Sequence, residues 1–134
     1  MEGVDSTSTT DSFSDDVIVY RAILKKAWID PRQRRVLPMA FIRRPAPKDS
    51  DGLSVGHSCP VREYLSRFDK SFGAARIEVG SVRELALDVV PDPDPAELHH
   101  ALIVGVPYQD DDLAHAEFLA AELAARAGLL TGTE

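Results

Sequence analysis

The sequence predicts an α+β fold: a small, mostly antiparallel or mixed sheet of about five short strands, with one mid-chain helix and a C-terminal amphipathic helix. Three observations predict it. Short β-branched and apolar runs (VIVYRAIL from Val17, LDVV from Leu87, HALIVGV from His100) outnumber the helical segments. The helical segments follow runs of strands and do not alternate strictly with them. Residues 113–127 carry an apolar stripe at helical spacing.

Val17–Leu24 reads as the first strand. Lys25–Arg35 is mixed: Trp28 and Ile29 have core character, whereas Asp30-Pro31 followed by RQRR reads as a turn or loop. Met39–Arg43 (MAFIR) is the expected second strand, the Pro/Asp/Gly-rich stretch Pro45–Gly52 a loop, and Leu53–Gly56 a short strand. Pro60 suits the first turn of a helix, capped by Ser58 or Cys59. Val61, Tyr64, Leu65 and Phe68 then fall on one helical face.

Ala75, Ile77 and Val79 alternate with Arg76 and Glu78, the period of a half-buried strand. Ser81 to Glu84 has capping-box spacing and predicts a short helical turn. Leu87–Val90 is a strand stopped by PDPDP at 91–95, where three prolines remove backbone donors. His100–Val106 is a strongly apolar, interior strand. Asp110, Asp111 and Asp112 suit a helix N-terminus. Leu113, Ala116, Ala120, Leu123 and Ala127 form that helix's stripe, with Phe118 and Leu119 beside it. Glu122 and Arg126 stand at i,i+4, and Gly128 before Leu129 has the form of a Schellman stop.

Residues 1–16 are rich in Ser, Thr and Asp and poor in apolar side chains, so a disordered leader is expected there, with one domain over 17–130. The leader lacks the basic start and apolar run of a secretory signal, and no apolar stretch approaches the ~20 residues that span a bilayer. A lone cysteine, Cys59, excludes an intramolecular disulfide framework and fits a reducing, cytoplasmic setting.

Charge is unevenly placed. Nine of the fifteen Lys and Arg residues lie between Arg21 and Lys48 against a single acid, Asp30. That segment carries +8 and the remainder −15, giving the net −7. Such patterning speaks to partners and association, not to fold.

Five blocks, YRAILKKAWID, DGLSV, FGAARIEVGSVRELALDVVPD, HHALIVGVP and AEFLAAELAARA, together resemble a group of small bacterial proteins, common in cyanobacteria, that carry like blocks in the same order. The resemblance covers roughly residues 17–129. It implies an intact single domain; the group has no assigned activity and brings no catalytic residues or cofactor to this chain.

The basic segment is the strongest functional signal. Arg21, Lys25, Lys26, Trp28, Arg32, Arg34, Arg35, Arg43 and Arg44 are the candidate partner-binding residues, with an acidic protein surface as the expected complement. RNA or DNA is the competing partner, since these cations would meet phosphates and Trp28 a base. An acidic sequence pI of about 5.0 is opposite to the usual nucleic-acid footprint. His57, Cys59, His99 and His100 have the atom types of a zinc site but not a recognised spacing, and no metal is expected. Cys59 with His57 offers a nucleophile and a base without a local catalytic signature.

Arg21 and Ser54 resemble the Arg and Ser positions of ADP-ribosyltransferase-type domains, where the pair positions NAD. That family also needs a glutamate on a later strand, and neither Glu78 nor Glu84 stands in an E-x-E pattern. The sequence therefore points to a non-enzymatic binding or accessory module of a bacterial operon or conflict system. An NAD- or nucleotide-handling toxin is the alternative. No catalytic set and no cofactor are assigned, and the oligomeric state stays open.

Overall fold

A computed structural model describes residues 13–45 and 48–131; most of the expected leader, residues 1–12, lies outside the described residues. Six strands form an antiparallel sheet: β1 (Ile18–Ala22), β4 (Leu53–His57), β5 (Ala74–Glu78), β6 (Asp88–Pro91), β7 (His100–Val104) and β8 (Gly128–Leu130). Their order is β6-β7-β4-β1-β5-β8. Between the first two of these in sequence, β2 (Ile29–Asp30) and β3 (Arg35–Val36) pair as a separate ribbon. Among the described residues three helices complete the fold, α1 (Val61–Leu65), α2 (Val79–Arg83) and α3 (Leu113–Arg126), with 3₁₀ turns at Lys26–Trp28 and Pro38–Phe41.

The period-two pattern is realised on the core face. Val19, Ile23, Leu53, Val55, Ala75, Ile77, Val89, Ala101 and Ile103 are all buried there, in register across the ladders. α3 lays Ala116, Leu119, Ala120, Leu123 and Ala124 into the same core and packs on the Pro38–Phe41 turn, whose Phe41 is fully buried. Asp112 caps α3 by accepting from the His115 backbone N–H at 3.1 Å.

The opposite face holds Tyr20, Ala22, Gly56 and Ala74, and α1 covers it with Tyr64. Gly56 is required because a Cβ there would lie 2.6 Å from Tyr64 Cε1 and nearer still to Cδ1, closer than non-bonded carbon atoms can approach. Burial pushes the Tyr64 phenol up to about 12, so it stays a neutral hydroxyl.

Several expectations are corrected. Met39–Arg43 is not a strand: Pro38 fixes φ and has no amide to give a ladder, and the chain closes into a 3₁₀ turn with Ala40 N–H on the Leu37 carbonyl. Among the described residues the sheet has six strands, close to the five expected; the last of them follows α3, and the Asp30–Arg35 turn is the tip of a separate two-stranded hairpin. Gly128 does not close a Schellman motif. Ala127 is extended, and Gly128 pairs with Arg76, so the chain gains a ladder on β5 in place of a helix stop. α2 begins at Val79, not Ser81, and α1 starts after Pro60 with no side-chain cap. Phe13–Asp16, expected within the leader, belong to the fold. Phe13 packs edge-on against His57, the Asp15 carbonyl accepts from Gly80, and its carboxylate pairs with Arg83.

Candidate functional site

The site grows from a gap in the sheet. β1 and β4 pair at Val19–His57 and Tyr20–Gly56 and then splay, so the next hydrogen-bonding pair in that register, Ala22 with Ser54, is not made. Its polar groups would be orphaned. Tyr64 Oη accepts from the Ala22 amide at 3.1 Å, and Arg21 Nη1 donates to the Ser54 carbonyl at 3.0 Å. Arg21 Nε also donates to the Ala40 carbonyl, which ties the 3₁₀ turn to β1.

Arg21 is only 4 % exposed, and its charge is balanced by Asp49, itself 1 % exposed, at 3.8 Å. The closer partner of Asp49 is Arg44, whose Nε lies 2.9 Å from Oδ2 and whose backbone N–H donates at 2.8 Å. Burial alone pushes the Asp49 carboxyl up. The hydrogen bonds from Arg44 and the charges of Arg21 and Arg44 outweigh it and hold the carboxyl below its ordinary value. Burial likewise lowers Arg21 from its ordinary value, against the pull of Asp49.

Arg43 is spent in the same way. Its guanidinium donates to the carbonyls of Asp49, Ser50 and Val106 at 2.9, 2.6 and 3.0 Å and lies 3.9 Å from the centre of the Tyr108 ring. Tyr108 Oη in turn donates to the Asp49 carbonyl at 3.3 Å. Three of the nine basic-segment residues named from the sequence therefore hold the chain together. Charge counting gave no sign of this, because a guanidinium over carbonyls and one in water read alike in sequence.

What these pins brace is a cleft of about 510 Å³. Leu24, Trp28, Met39 and Ile42 supply its apolar lining; Lys25, Arg44 and Lys48 supply its cations, and Gln109 closes one side. Met39 is 47 % exposed, whereas Trp28 is 8 % exposed and shows only part of its ring. Among the described residues neither Lys25 nor Lys48 has an ion-pair partner. Lys25, Trp28 and Arg44 were named from sequence. Lys48 was counted only as the end of the basic segment, and Leu24, Met39, Ile42 and Gln109 were not named; the three apolar residues fell in expected strands, and Gln109 comes from a distant loop.

The remaining basic residues stand elsewhere on the segment. Lys26 is exposed on the first 3₁₀ turn. Arg32 and Arg34 are exposed at the β2–β3 tip, and Arg35 follows them on β3, 4.0 Å from Asp30. The tip is shaped by Asp30, whose carboxylate accepts from the Arg32 and Gln33 amides, and by Arg34 in the left-handed region at φ 53°. The hairpin is moored to the cleft by Leu37 N–H donating to the Trp28 carbonyl at 2.8 Å.

The histidines do not converge. His57 meets His99 edge-on at 5.8 Å between ring centres, whereas His100 turns to Asp92 at 3.0 Å. No three His, Cys, Asp or Glu side chains gather around a metal-sized space among the described residues. Burial pushes the Cys59 thiol up, away from a thiolate. Glu78 is exposed on the sheet face opposite Arg21, so Arg21, Ser54 and a later-strand glutamate do not assemble. No helix among the described residues is long and apolar enough to cross a membrane.

No protein-family model, curated protein or solved structure matches this chain.

Proposed function

We propose that the chain is a non-enzymatic protein-binding or accessory module, working in the cytoplasm, whose contact surface is the basic strip formed by the Trp28 cleft and the β2–β3 tip. The observation that carries this reading is the division of labour among the cations. Arg21, Arg43 and Arg44 are anchored internally, while Lys25 and Lys48 line an apolar concavity and Arg32 and Arg34 project from the β2–β3 tip, all four without ion-pair partners among the described residues. An apolar lining with a charged rim is the composition of a protein contact. The acidic remainder of the chain disfavours a long polyanion, which leaves an acidic protein surface as the complement.

The experiment compares immobilised wild-type chain with the Lys25→Glu, Arg32→Glu, Arg34→Glu, Lys48→Glu variant in extracts treated with nuclease. A protein held by the wild type and lost by the variant is expected. Retention of RNA or DNA with affinity falling steeply in salt, or consumption of NAD by the purified chain, overturns the reading.

A further inference from the structure

The chemistry of the cleft specifies what the strip takes, and this inference rests on the protein-binding reading. Gln109 lines both the Trp28 cleft and a neighbouring depression of about 270 Å³. The two differ in charge. Around the first stand Lys25 and Lys48, with Arg44, which shares the single Asp49 carboxylate with the buried Arg21, so that trio keeps a net positive charge. The second is lined by Arg43, Pro45, Tyr108, Asp110 and Asp111. Arg43 is committed to three carbonyls, and Asp112, not its two neighbours, caps α3. Asp110 and Asp111 therefore face the depression as carboxylates with no ion pair among the described residues.

We infer that this double groove takes one extended peptide segment with a long apolar or aromatic anchor, acidic residues on one side of it and a basic residue on the other. The anchor belongs in the Leu24, Trp28, Met39 and Ile42 lining, where the flexible, exposed thioether of Met39 adapts to its shape. The acidic flank meets Lys25 and Lys48, and the basic flank passes Gln109 to reach Asp110 and Asp111. A nucleic acid satisfies only part of this. Its phosphates suit the lysines, but Trp28, 8 % exposed, offers a base little ring to stack on, and the phosphates meet repulsion at the two aspartates.

Trp28 is the chain's single tryptophan, so its emission reports occupancy of the cleft directly. The probe is a blocked heptapeptide, Asp-Glu-Asp-Phe-Gly-Lys-Lys, titrated while Trp28 fluorescence is followed. Saturable binding is expected, weakened about 10- to 100-fold when Phe is replaced by Gly. Replacing the two Lys by Gln weakens it about 3- to 10-fold, and that difference disappears in the Asp110→Asn, Asp111→Asn variant. Lys25→Glu with Lys48→Glu weakens the probe about tenfold or more. Equal affinity of the Phe and Gly peptides, tighter binding of a ten-residue oligothymidine, or no saturable signal overturns the inference. If the heptapeptide fails while the immobilised chain still holds a protein through Arg32 and Arg34, the inference falls alone. If both fail, the protein-binding reading falls with it.

Discussion

At the scale of single residues, Asp49 decides more than its position in a Pro/Gly-rich loop suggests. Among the described residues it is the one carboxylate beside the buried Arg21 guanidinium, and it also receives the Arg44 backbone and side chain. Removing one member of a buried pair leaves the other charge uncompensated, which costs more than the pair itself contributes. Asp49→Ala is therefore expected to lower stability by about 3–5 kcal/mol in urea unfolding. The sign of the pH dependence follows from the lowered carboxyl. A folded value below the unfolded one, about 3.9, means that the contribution of Asp49 is complete above that pH and is lost as pH falls through the folded value. An Asp49→Asn variant should lose that part of the acid limb in unfolding midpoints measured from pH 5 to pH 2. A limb unchanged by the substitution would assign acid sensitivity elsewhere. None of this was legible beforehand, because the Arg21–Asp49 contact spans most of the basic segment and neither residue announces burial.

Among the elements, α3 was the most legible and the stretch from Lys25 to Arg43 the least. α3 combines a cap with a stripe written in local sequence; the structure retains Ala116, Ala120 and Leu123 at the core, while Leu113 is 52 % exposed and Ala127 lies past the helix end. The MAFIR stretch is apolar enough for a strand, but periodicity is silent on whether hydrogen-bonding neighbours exist. Pro38 and the Arg21 bond to the Ala40 carbonyl settled it as a turn. The stop of α3 was misjudged for a similar reason: Gly128 serves a ladder formed with a strand far upstream. The cap itself is testable. Asp112→Ala should cost about 1 kcal/mol, read by chemical unfolding, since it orphans the His115 amide at the first turn. An unchanged midpoint would mean that solvent or a neighbouring aspartate replaces the cap without loss.

Taken whole, the α+β class was predictable because strand runs and the last helix are local signals, while the sheet order depends on pairings that sequence spacing does not encode. The cleft was half legible. Its cations were counted from composition, but the lining residues and Gln109 meet only because the Pro38–Phe41 turn and the loop before α3 are brought together. The topology also sets a gradient of stability. β1 and β4 are the innermost strands, and β6 and β8 are the edges. Amide hydrogen exchange should thus be slowest in β1 and β4 and fastest in β8, with unfolding of the edges preceding global opening. Exchange in β1 as fast as in β8 would place the cooperative unit elsewhere.

The central position of β1 has a consequence for synthesis on the ribosome. The strand emerges first among the six, yet one of its neighbours, β4, follows only after the whole basic segment, and the other, β5, later still. At about 5–20 residues per second, roughly 3–11 s pass between completion of β1 and completion of β5. Until β4 is complete both backbone edges of β1 stand open, and the edge that receives β5 stays open for the whole interval. The nascent chain is consequently most exposed to chaperones, and to mispairing with a neighbouring chain, at the strand that later becomes one of its most enclosed.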